Sequence, residues 1–447
     1  MTNKTLFQLS YPLLLNAFIG MAVTLVDTII VSSYSENAAA AVSIANQILL
    51  VVFDLSALFA TGAVILVSQS LGKGEEAEAR NVAKTAMLAN AAISLVAGAV
   101  ILLTAQNLIS AIHCPAEILA DATLYLQVGA FTIVFNGVMM AGTATLRGFG
   151  ETKIILILGL FAYGSYLLAE YVFIFGWGPI PELGVLGSAL ATLLIRSGAV
   201  VALLVVSAYR LKIRFRLRPI DISGTSRRIR HLYSLSWPTA LDNLAYGIYQ
   251  MLLVSYIARY NVVMLLSRTF TLSLSAFLTV VLMSISQANE VMVGYRYGAG
   301  NSSEMKQCVI RASAISVLLT TACASLLYWN ASSLVGLFTQ QPEIHKIIKQ
   351  LLWITIFVQP FSAVNTILFH SLKAIGDVVI PVVATQIMMW SISVPLAYWL
   401  TTYQGLGVVG LWYVLILEEA LKAIFLLCRW QYQMRSFDHL ASRQTLH

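Results

Sequence analysis

Charged residues are scarce in this sequence. Only 11% of its 447 residues are Asp, Glu, Lys or Arg, whereas 59% are hydrophobic, and the mean hydropathy is +0.81. Soluble globular proteins carry about a quarter charged residues, so this composition excludes a soluble enzyme. A bilayer offers no water to the backbone, and only helices and closed barrels can cross it. Because the apolar runs are long and do not alternate with polar residues, they predict an all-α integral membrane protein.

Clustered cysteines and catalytic motifs are also missing. The four cysteines are scattered, without a CxxC pair or grouped histidines, so we expect no metal, no cofactor and no disulfide framework. The chain has no Walker A sequence, no HExxH and no GxSxG with its partners, so we expect neither an enzyme nor direct use of ATP. The net charge of +7 falls mostly between apolar runs, as in membrane proteins, and does not indicate a nucleic-acid partner.

The sequence does contain apolar runs of about 20 residues or more, the length of a transmembrane helix. Twelve such runs lie near residues 9–33, 44–70, 83–108, 120–146, 154–177, 184–209, 232–257, 262–290, 307–330, 347–372, 377–400 and 406–428. The first run is too long for a signal peptide, so we expect it to be retained. We divide the chain into an N-lobe (1–210), a basic linker (211–230), a C-lobe (231–430) and a tail (431–447).

The loops between these runs alternate in charge. One set is basic and includes the central linker, with Arg214, Arg216 and Arg218. The opposite set is mainly acidic, with residues such as Glu36 and Glu182. Because Lys and Arg are enriched in cytoplasmic loops, both termini and the linker are predicted to be cytoplasmic.

An internal repeat relates the two halves. LSYP at 9–12 recurs as LSWP at 235–238, and LRGFGET from Leu146 recurs as LKAIGDV from Leu372 at the same offset, which we call the repeat register. LGVLG from Leu183 recurs as LGVVG from Leu406 at a slightly smaller offset, the shifted register, which implies a small deletion. Since each copy has six spans, the copies share one orientation. They are expected to be related by a pseudo-two-fold axis along the membrane normal, with a cleft between them and alternating access.

Several stretches resemble one transporter family. They are LVDTIIVSSYS around Asp27, the LGKG and YGAGN loops, LRGFGETK from Leu146, and GSYLLAEYVFIFG at 164–176. This pattern resembles the multidrug and toxic compound extrusion (MATE) family, nearest its bacterial DinF-like branch, from Leu9 to about Trp430. The resemblance implies two six-helix bundles in a V shape. It also implies export of organic, often cationic, compounds across the bacterial cytoplasmic membrane, driven by H⁺ or Na⁺. We expect such a protein to be a monomer among membrane lipids.

One departure from that family bears on the coupling ion. The DinF-like branch usually has Asn and Asp four residues apart in the fifth helix, cooperating with the Asp of the first helix. Here Tyr166 and Glu170 occupy these positions, and Asp27 matches the first-helix Asp. The loss of an amide oxygen favours H⁺ over Na⁺, because protonation needs only one carboxylate. A structural hydrogen bond at Asp27, or a location of Glu170 near the outer interface, is the alternative reading.

Other ionisable residues inside apolar runs are functional candidates because charge is costly there. We assign Asp54, Asp242, Glu418 and Glu419 to a substrate cavity that attracts cations. The alternatives are structural: a partner for Asp54 in a neighbouring span, backbone capping after Pro238 by Asp242, and an i, i+4 pair of Glu418 with Lys422. A pair between Arg196 and Glu170 would weaken the proton site, and Glu290 is expected to snorkel to the interface.

Together these features predict an H⁺-coupled antiporter of organic compounds. A flippase for lipid-linked oligosaccharides, from the same superfamily, is the alternative. Such flippases tend to have a strongly cationic cavity for diphosphate, whereas the charges inside these spans are mainly acidic. The substrate itself is not predicted by the sequence.

Overall fold

The computed structural model describes residues 4–112, 114–213, 222–336 and 339–444. The middle of the predicted linker, with Arg214, Arg216 and Arg218, lies outside these described residues. The described chain is almost entirely helical. Its α-helices are α1 (Leu6–Tyr34), α2 (Glu36–Ser56), α3 (Ala60–Gly72), α4 (Glu76–Ala111), α5 (Ala116–Gly148), α6 (Thr152–Phe175), α7 (Gly184–Arg210), α8 (Ile222–Ala258), α9 (Val262–Gly298), α10 (Ser302–Trp329), α11 (Ala331–Val335), α12 (Pro342–Ala374), α13 (Val379–Met388), α14 (Val394–Tyr398) and α15 (Gly407–Gln444).

Ten helical stretches in the described part of the chain are long and apolar enough to cross a membrane. The prediction of an all-α integral membrane protein is therefore confirmed. The seventh and twelfth predicted spans fall on α8 and α15, which have 37 and 38 residues. Both are long enough to cross, but they carry more polar residues than the other ten. In α15, for example, Glu418, Glu419 and Lys422 lie within two turns.

Two predicted spans are not single regular helices. The second is interrupted at 57–59, between α2 and α3, where the side-chain oxygen of Asn90 accepts a hydrogen bond from the Phe59 N–H at 3.0 Å. The eleventh contains two π-helical segments, Met389–Ser393 and Trp399–Tyr403. Pro395, which has no backbone N–H to donate, lies between them. Breaks of this kind persist in apolar surroundings only where neighbouring groups satisfy the backbone.

The described residues form two compact units. The N unit consists of Lys4 and Tyr11–Trp237, and the C unit of Thr5–Ser10 and Pro238 onwards. Within the C unit, Leu6 packs against a buried cluster that contains Met305 and Trp430. Within the N unit, the Gly62 N–H donates to the Ser236 hydroxyl at 3.0 Å. The first turn of α1 and the first half of α8 therefore each belong to the other repeat's unit.

The sequence repeat is reproduced in the local geometry. Gly74 and Gly300, as well as Gly150 and Gly376, are partners in the repeat register, and all four have positive φ. Gly184 and Gly407, partners in the shifted register, both have φ of 54°. Only glycine adopts such angles without steric cost, which explains why the repeated loops keep it. Helix starts recur as well. Ser35 and Asn261, also partners in the repeat register, each cap their helix by accepting the N–H three positions ahead.

Small residues allow the helices of the N unit to approach closely. Gly137 of α5 lies against α4, and a Cβ atom at this glycine would stand 1.8 Å from the Ser94 hydroxyl. The core between α2, α4 and α5 contains fully buried alanines and branched side chains such as Ala41, Leu126 and Ile133. Small residues at helix interfaces are typical of membrane bundles, where close packing replaces the hydrophobic effect.

Candidate functional site

Asp27 and the α6 pair, Tyr166 and Glu170, come together in the N unit. Tyr166 and Glu170 are one turn apart and share a face of α6. The Tyr166 hydroxyl donates to Asp27 Oδ1 at 2.7 Å. Ser188 of α7 donates to Glu170 Oε1 at 2.9 Å, and the Glu170 side chain is fully buried rather than interfacial. Asp27 and Tyr166 are also electrostatic neighbours of Glu170, so the three predicted residues form one cluster.

The second oxygen of Glu170 shows what this cluster can do chemically. Oε2 is buried and accepts no hydrogen bond from the described residues. Two neighbouring carboxylates cannot both be ionised cheaply in a low-dielectric site, and a proton on one of them removes the repulsion. The arrangement is therefore suited to binding and releasing a proton.

Two members of this cluster were missed in the sequence. Tyr125 of α5 is 5% exposed and is an electrostatic neighbour of Asp27, Glu170 and Arg196. Ser188 holds Glu170 from α7. Neither residue has a sequence signal, because an uncharged Tyr or Ser inside an apolar span usually serves helix packing.

Arg196 does not pair with Glu170 in the described chain. Its Nη1 donates to Asn136 Oδ1 at 2.9 Å, and its guanidinium lies 4.4 Å from the centre of the Phe53 ring. Asn136 in turn donates to the Ser56 hydroxyl at 2.9 Å. The guanidinium is thus held by an amide and an aromatic face, and the pair that would weaken the proposed proton site is not formed.

Glu418 and Glu419 have different surroundings in the C unit. Glu418 is buried, accepts from Lys422 Nζ at 2.5 Å, and accepts from the Tyr249 hydroxyl at 2.7 Å. This is the i, i+4 pair described as the structural alternative. Glu419 is half-buried and accepts from Asn365 Nδ2 at 2.8 Å. Its bonded partner is therefore a neutral amide, and its charge is the less compensated of the two.

Asp242 and Asp54 lie in different units. In the C unit, Gln386 Nε2 donates to Asp242 Oδ1 at 2.6 Å, and Trp390 donates to the oxygen of the same Gln386 amide. In the N unit, Asp54 is exposed on α2, shortly before the break at 57–59, and no described side chain bonds to its carboxylate. The four predicted cavity residues therefore do not form one cluster within a single unit.

The expectation for Glu290 is wrong. It was expected to snorkel to the membrane interface, but its side chain is 2% exposed and lies 3.0 Å from Nδ1 of His370. α9 packs along α12, and this contact encloses Glu290 while His370 supplies a polar partner. A buried acid is retained where such a partner exists.

Arg268 of α9 was also missed as a buried charge. It is 8% exposed, and its Nη2 donates to Gln250 Oε1 at 2.7 Å. It lies two turns from the start of α9, where an Arg in the sequence resembles an interfacial residue.

A family model described as MatE matches the chain twice, over residues 12–172 and 238–399. The two matches correspond to the two copies of the sequence repeat, and together they cover more than half of the chain. The repeat was recognised without reference to a family, so the two observations support each other.

Relatives and solved structures match over nearly the full length. The uncharacterized transporter YisQ of Bacillus subtilis (strain 168) is 29% identical over 96% of this chain and 94% of that protein. The probable multidrug resistance protein NorM of Thermotoga maritima is 24% identical over 96% of this chain and 93% of its own. The crystal structure of the Vibrio cholerae MATE transporter VcmN in the bent form is similar in fold. Its TM-score is 0.87 at 18% identity, with 97% of each chain covered.

Proposed function

The chain belongs to the multidrug and toxic compound extrusion (MATE) family of multi-pass membrane transporters, and on that premise we propose that it is an H⁺-coupled antiporter. Members of this family are transporters and not enzymes. We propose further that the chain exports organic compounds across the bacterial cytoplasmic membrane by alternating access. Protonation of the N-unit carboxylates would drive each cycle.

The hydrogen bonding of Asp27 and Glu170 supports H⁺ rather than Na⁺. Each acid already accepts a hydrogen bond from a hydroxyl, Tyr166 for Asp27 and Ser188 for Glu170. These donors occupy oxygen lone pairs that a hard cation such as Na⁺ would need as ligands. A proton requires only one free acceptor, and the buried Oε2 of Glu170 is such an acceptor.

The local structure of α1 supports a conformational response to protonation. Three successive hydroxyls on this helix bond back to the carbonyl four positions earlier: Thr24 to Gly20, Thr28 to Thr24, and Ser32 to Thr28. Such bonds weaken the backbone ladder and often bend helices. Asp27 lies within this stretch. We propose that protonation of the acid pair bends or repacks α1 and so releases the substrate outward.

Cationic or amphipathic compounds are the proposed substrates. Asp242 and Glu419 keep carboxylates whose hydrogen-bonded partners are amides, whereas Glu418 is compensated by Lys422. The names of the NorM relatives refer to multidrug resistance, which supports small organic compounds in general. We assign a lesser part to Asp54. The acidic residues in the spans make a flippase for lipid-linked oligosaccharides the less favoured alternative.

Orientation, oligomeric state and the moving parts are further proposals. Both termini are placed in the cytoplasm, on the distribution of Lys and Arg. The transporter is expected to act as a monomer. The N-lobe (1–210) and C-lobe (231–430), joined by the basic linker, are expected to be the moving parts.

Transport by the purified chain in proteoliposomes tests the coupling ion. A fluorescent cation such as ethidium is loaded, and either a pH gradient or a Na⁺ gradient at equal pH is imposed. We expect the pH gradient to drive transport and the Na⁺ gradient to leave it at the level without a gradient. Transport that requires Na⁺ and ignores the pH gradient would overturn the H⁺ assignment.

A further inference from the structure

A cavity of about 500 Å³ lies within the C unit, between α8 and α9. Most of its wall is apolar or aromatic, and one charged group faces it. The lining residues are Tyr246, Gln250, Met251, Val254, Arg268 and Leu272. A largely apolar cavity with a few fixed polar groups is the usual form of a small-molecule site.

The charge in this cavity is not neutralised by the protein. Arg268 is 8% exposed, and its hydrogen bond in the described chain goes to the neutral amide of Gln250. Every ion pair found among the described residues involves other cations. A guanidinium enclosed in this way is costly unless an anion reaches it.

The neighbouring side chains hold Arg268 in place. Gln250 accepts from Arg268 Nη2 at 2.7 Å, and its Nε2 donates to the Tyr246 hydroxyl at 2.6 Å. Both ends of the amide are therefore engaged. A guanidinium has five N–H donors in a planar fork, so the donors not used by Gln250 can form paired hydrogen bonds to an oxyanion. A fixed fork of this kind prefers a carboxylate, sulfonate or phosphate group.

The repeated scaffold does not require this cation. In the repeat register, Arg268 corresponds to Val42, and Gln250 corresponds to Thr24. Val42 is buried in the core of the N unit, at the equivalent place on α2. The same helix pair therefore folds with an apolar residue at this position, so a purely structural role does not account for Arg268.

We propose that this cavity binds the oxyanion group of an amphipathic molecule, and that the exported compounds therefore include zwitterions. This proposal rests on the proposed export function and narrows its substrate class. Tyr246, which contacts the Arg268–Gln250 pair, is also an electrostatic neighbour of Glu419. A zwitterion places its acidic group at Arg268 and its cationic group toward Glu419. A phospholipid headgroup carries the same oxyanion chemistry, and the experiment below distinguishes it from a soluble substrate.

The test compares two dyes that differ only at the acid. Rhodamine 110 carries a free carboxylate, and rhodamine 123 is its methyl ester. Binding to the purified full chain is measured by fluorescence polarisation for the wild type, Arg268→Gln and Arg268→Lys. We expect Arg268→Gln to weaken rhodamine 110 by about tenfold and rhodamine 123 by less than about twofold, with Arg268→Lys in between. Val42→Gln, at the equivalent position of the N unit, is the matched control and is expected to leave both dyes unchanged.

A lipid arm identifies the source of the oxyanion. Native mass spectrometry counts phosphatidylglycerol and phosphatidylcholine molecules retained by the wild type and by Arg268→Gln. Loss of retained phosphatidylglycerol without dye discrimination supports the site and assigns it to a headgroup. Equal effects on both dyes together with unchanged lipid retention would overturn the proposal, and Arg268→Lys provides the same comparison if Arg268→Gln does not fold.

Failure of this proposal can be told apart from failure of the export function. Dye binding is measured without an ion gradient, so it does not depend on coupling. Efflux driven by a pH gradient, with no dye discrimination at Arg268, would remove the oxyanion site alone. Dye discrimination without driven efflux would remove the coupling assignment alone.

Discussion

One position carries opposite charges in the two units. Arg196 of α7 and Glu419 of α15 are partners in the shifted register, as are Gly184 and Gly407 at the starts of these helices. Arg196 is held by the amide of Asn136 in the N unit, and Glu419 by the amide of Asn365 in the C unit. The duplicated scaffold thus provides an amide partner at both places, while the charge that it supports has been reversed.

Other charges are confined to one copy. Asp27 and Glu170 of the N unit correspond to Leu253 and Leu396 in the repeat register. Conversely, the buried Arg268 of the C unit corresponds to Val42. Because the equivalent positions are apolar, neither set of charges is needed to build the helices. This asymmetry supports a division of labour, with ion coupling in the N unit and substrate recognition in the C unit.

The largest expected effect comes from removing the acid on α1. Asp27→Asn keeps the size and hydrogen-bonding capacity of the side chain but cannot take up and release a proton near neutral pH. We expect efflux driven by a pH gradient in proteoliposomes to fall to the rate of protein-free liposomes. The matched control, Leu253→Asn at the equivalent place on α8, is expected to retain efflux. Driven efflux by Asp27→Asn would place the ion site elsewhere and break the division between the units.

The next effect is on stability and belongs to the C unit alone. Lys422→Met leaves Glu418 buried without its cation, which is expected to cost about 3 kcal/mol of unfolding free energy. Unfolding in mixed micelles, followed by tryptophan fluorescence, measures this loss. The double variant with Glu418→Gln is expected to recover most of it, because both charges are then removed. Ala199→Met, at the equivalent place on α7, is the control.

An unchanged stability of Lys422→Met would contradict the proposed pairing. It would mean that Glu418 takes up a proton or reaches solvent when Lys422 is absent. Glu418 would then be a free carboxylate available to substrate, as first predicted, and the C unit would hold one more acidic site.

The fold was predictable from local signals, and its irregularities were not. Long apolar runs and repeated loop motifs mark helices wherever their partners lie. The break at 57–59 depends on Asn90, far along the chain, and the π-helical segments of the eleventh span lie within a run of uniform hydrophobicity. Nothing within these runs indicates that a distant side chain completes the backbone hydrogen bonding.

The candidate site was predictable only where a charge stands out in an apolar run. Asp27 and Glu170 were found in this way, and Tyr166 was found through its spacing from Glu170. Tyr125 and Ser188 were missed because neutral polar residues in membrane helices are common. Glu290 and its burial against α12 depend on helix packing. An ionisable residue near a helix end is interfacial or enclosed according to its neighbour, which the sequence does not specify.

A smaller effect is expected from the hydroxyl that holds Asp27. Tyr166→Phe removes the hydrogen bond to Asp27 Oδ1 but keeps the ring. A hydrogen bond to a charged group contributes about 1.5 to 3 kcal/mol. We therefore expect a reduction of roughly tenfold in the initial rate of efflux driven by a pH gradient. Ile392→Phe, at the equivalent position of the C unit, is the control. An unchanged rate for Tyr166→Phe would show that Asp27 does not depend on the phenol.

The smallest effect compares two acids that follow equivalent glycines. Asp377 accepts from Arg429 Nε at 2.7 Å and from Gln433 Nε2 at 2.8 Å, and the Arg429 side chain is 19% exposed. Glu151 accepts from Lys4 Nζ at 3.0 Å, with the Lys4 side chain 38% exposed. Exposed ion pairs contribute little, whereas partly buried ones with further hydrogen bonds contribute more. We expect Asp377→Asn to lower the unfolding free energy by about 1 kcal/mol and Glu151→Gln by about 0.3 kcal/mol.

Salt sharpens this last comparison. The contribution of Glu151 is expected to vanish as ionic strength rises, because exposed charges are screened within about 10 Å at 0.1 M salt. Most of the contribution of Asp377 is expected to remain, since its partners shield it from solvent. Unfolding of both variants at low and high NaCl measures the difference. Equal losses at both positions, or equal sensitivity to salt, would mean that the two repeated loops are energetically the same. The asymmetry between the units would then be limited to the membrane spans.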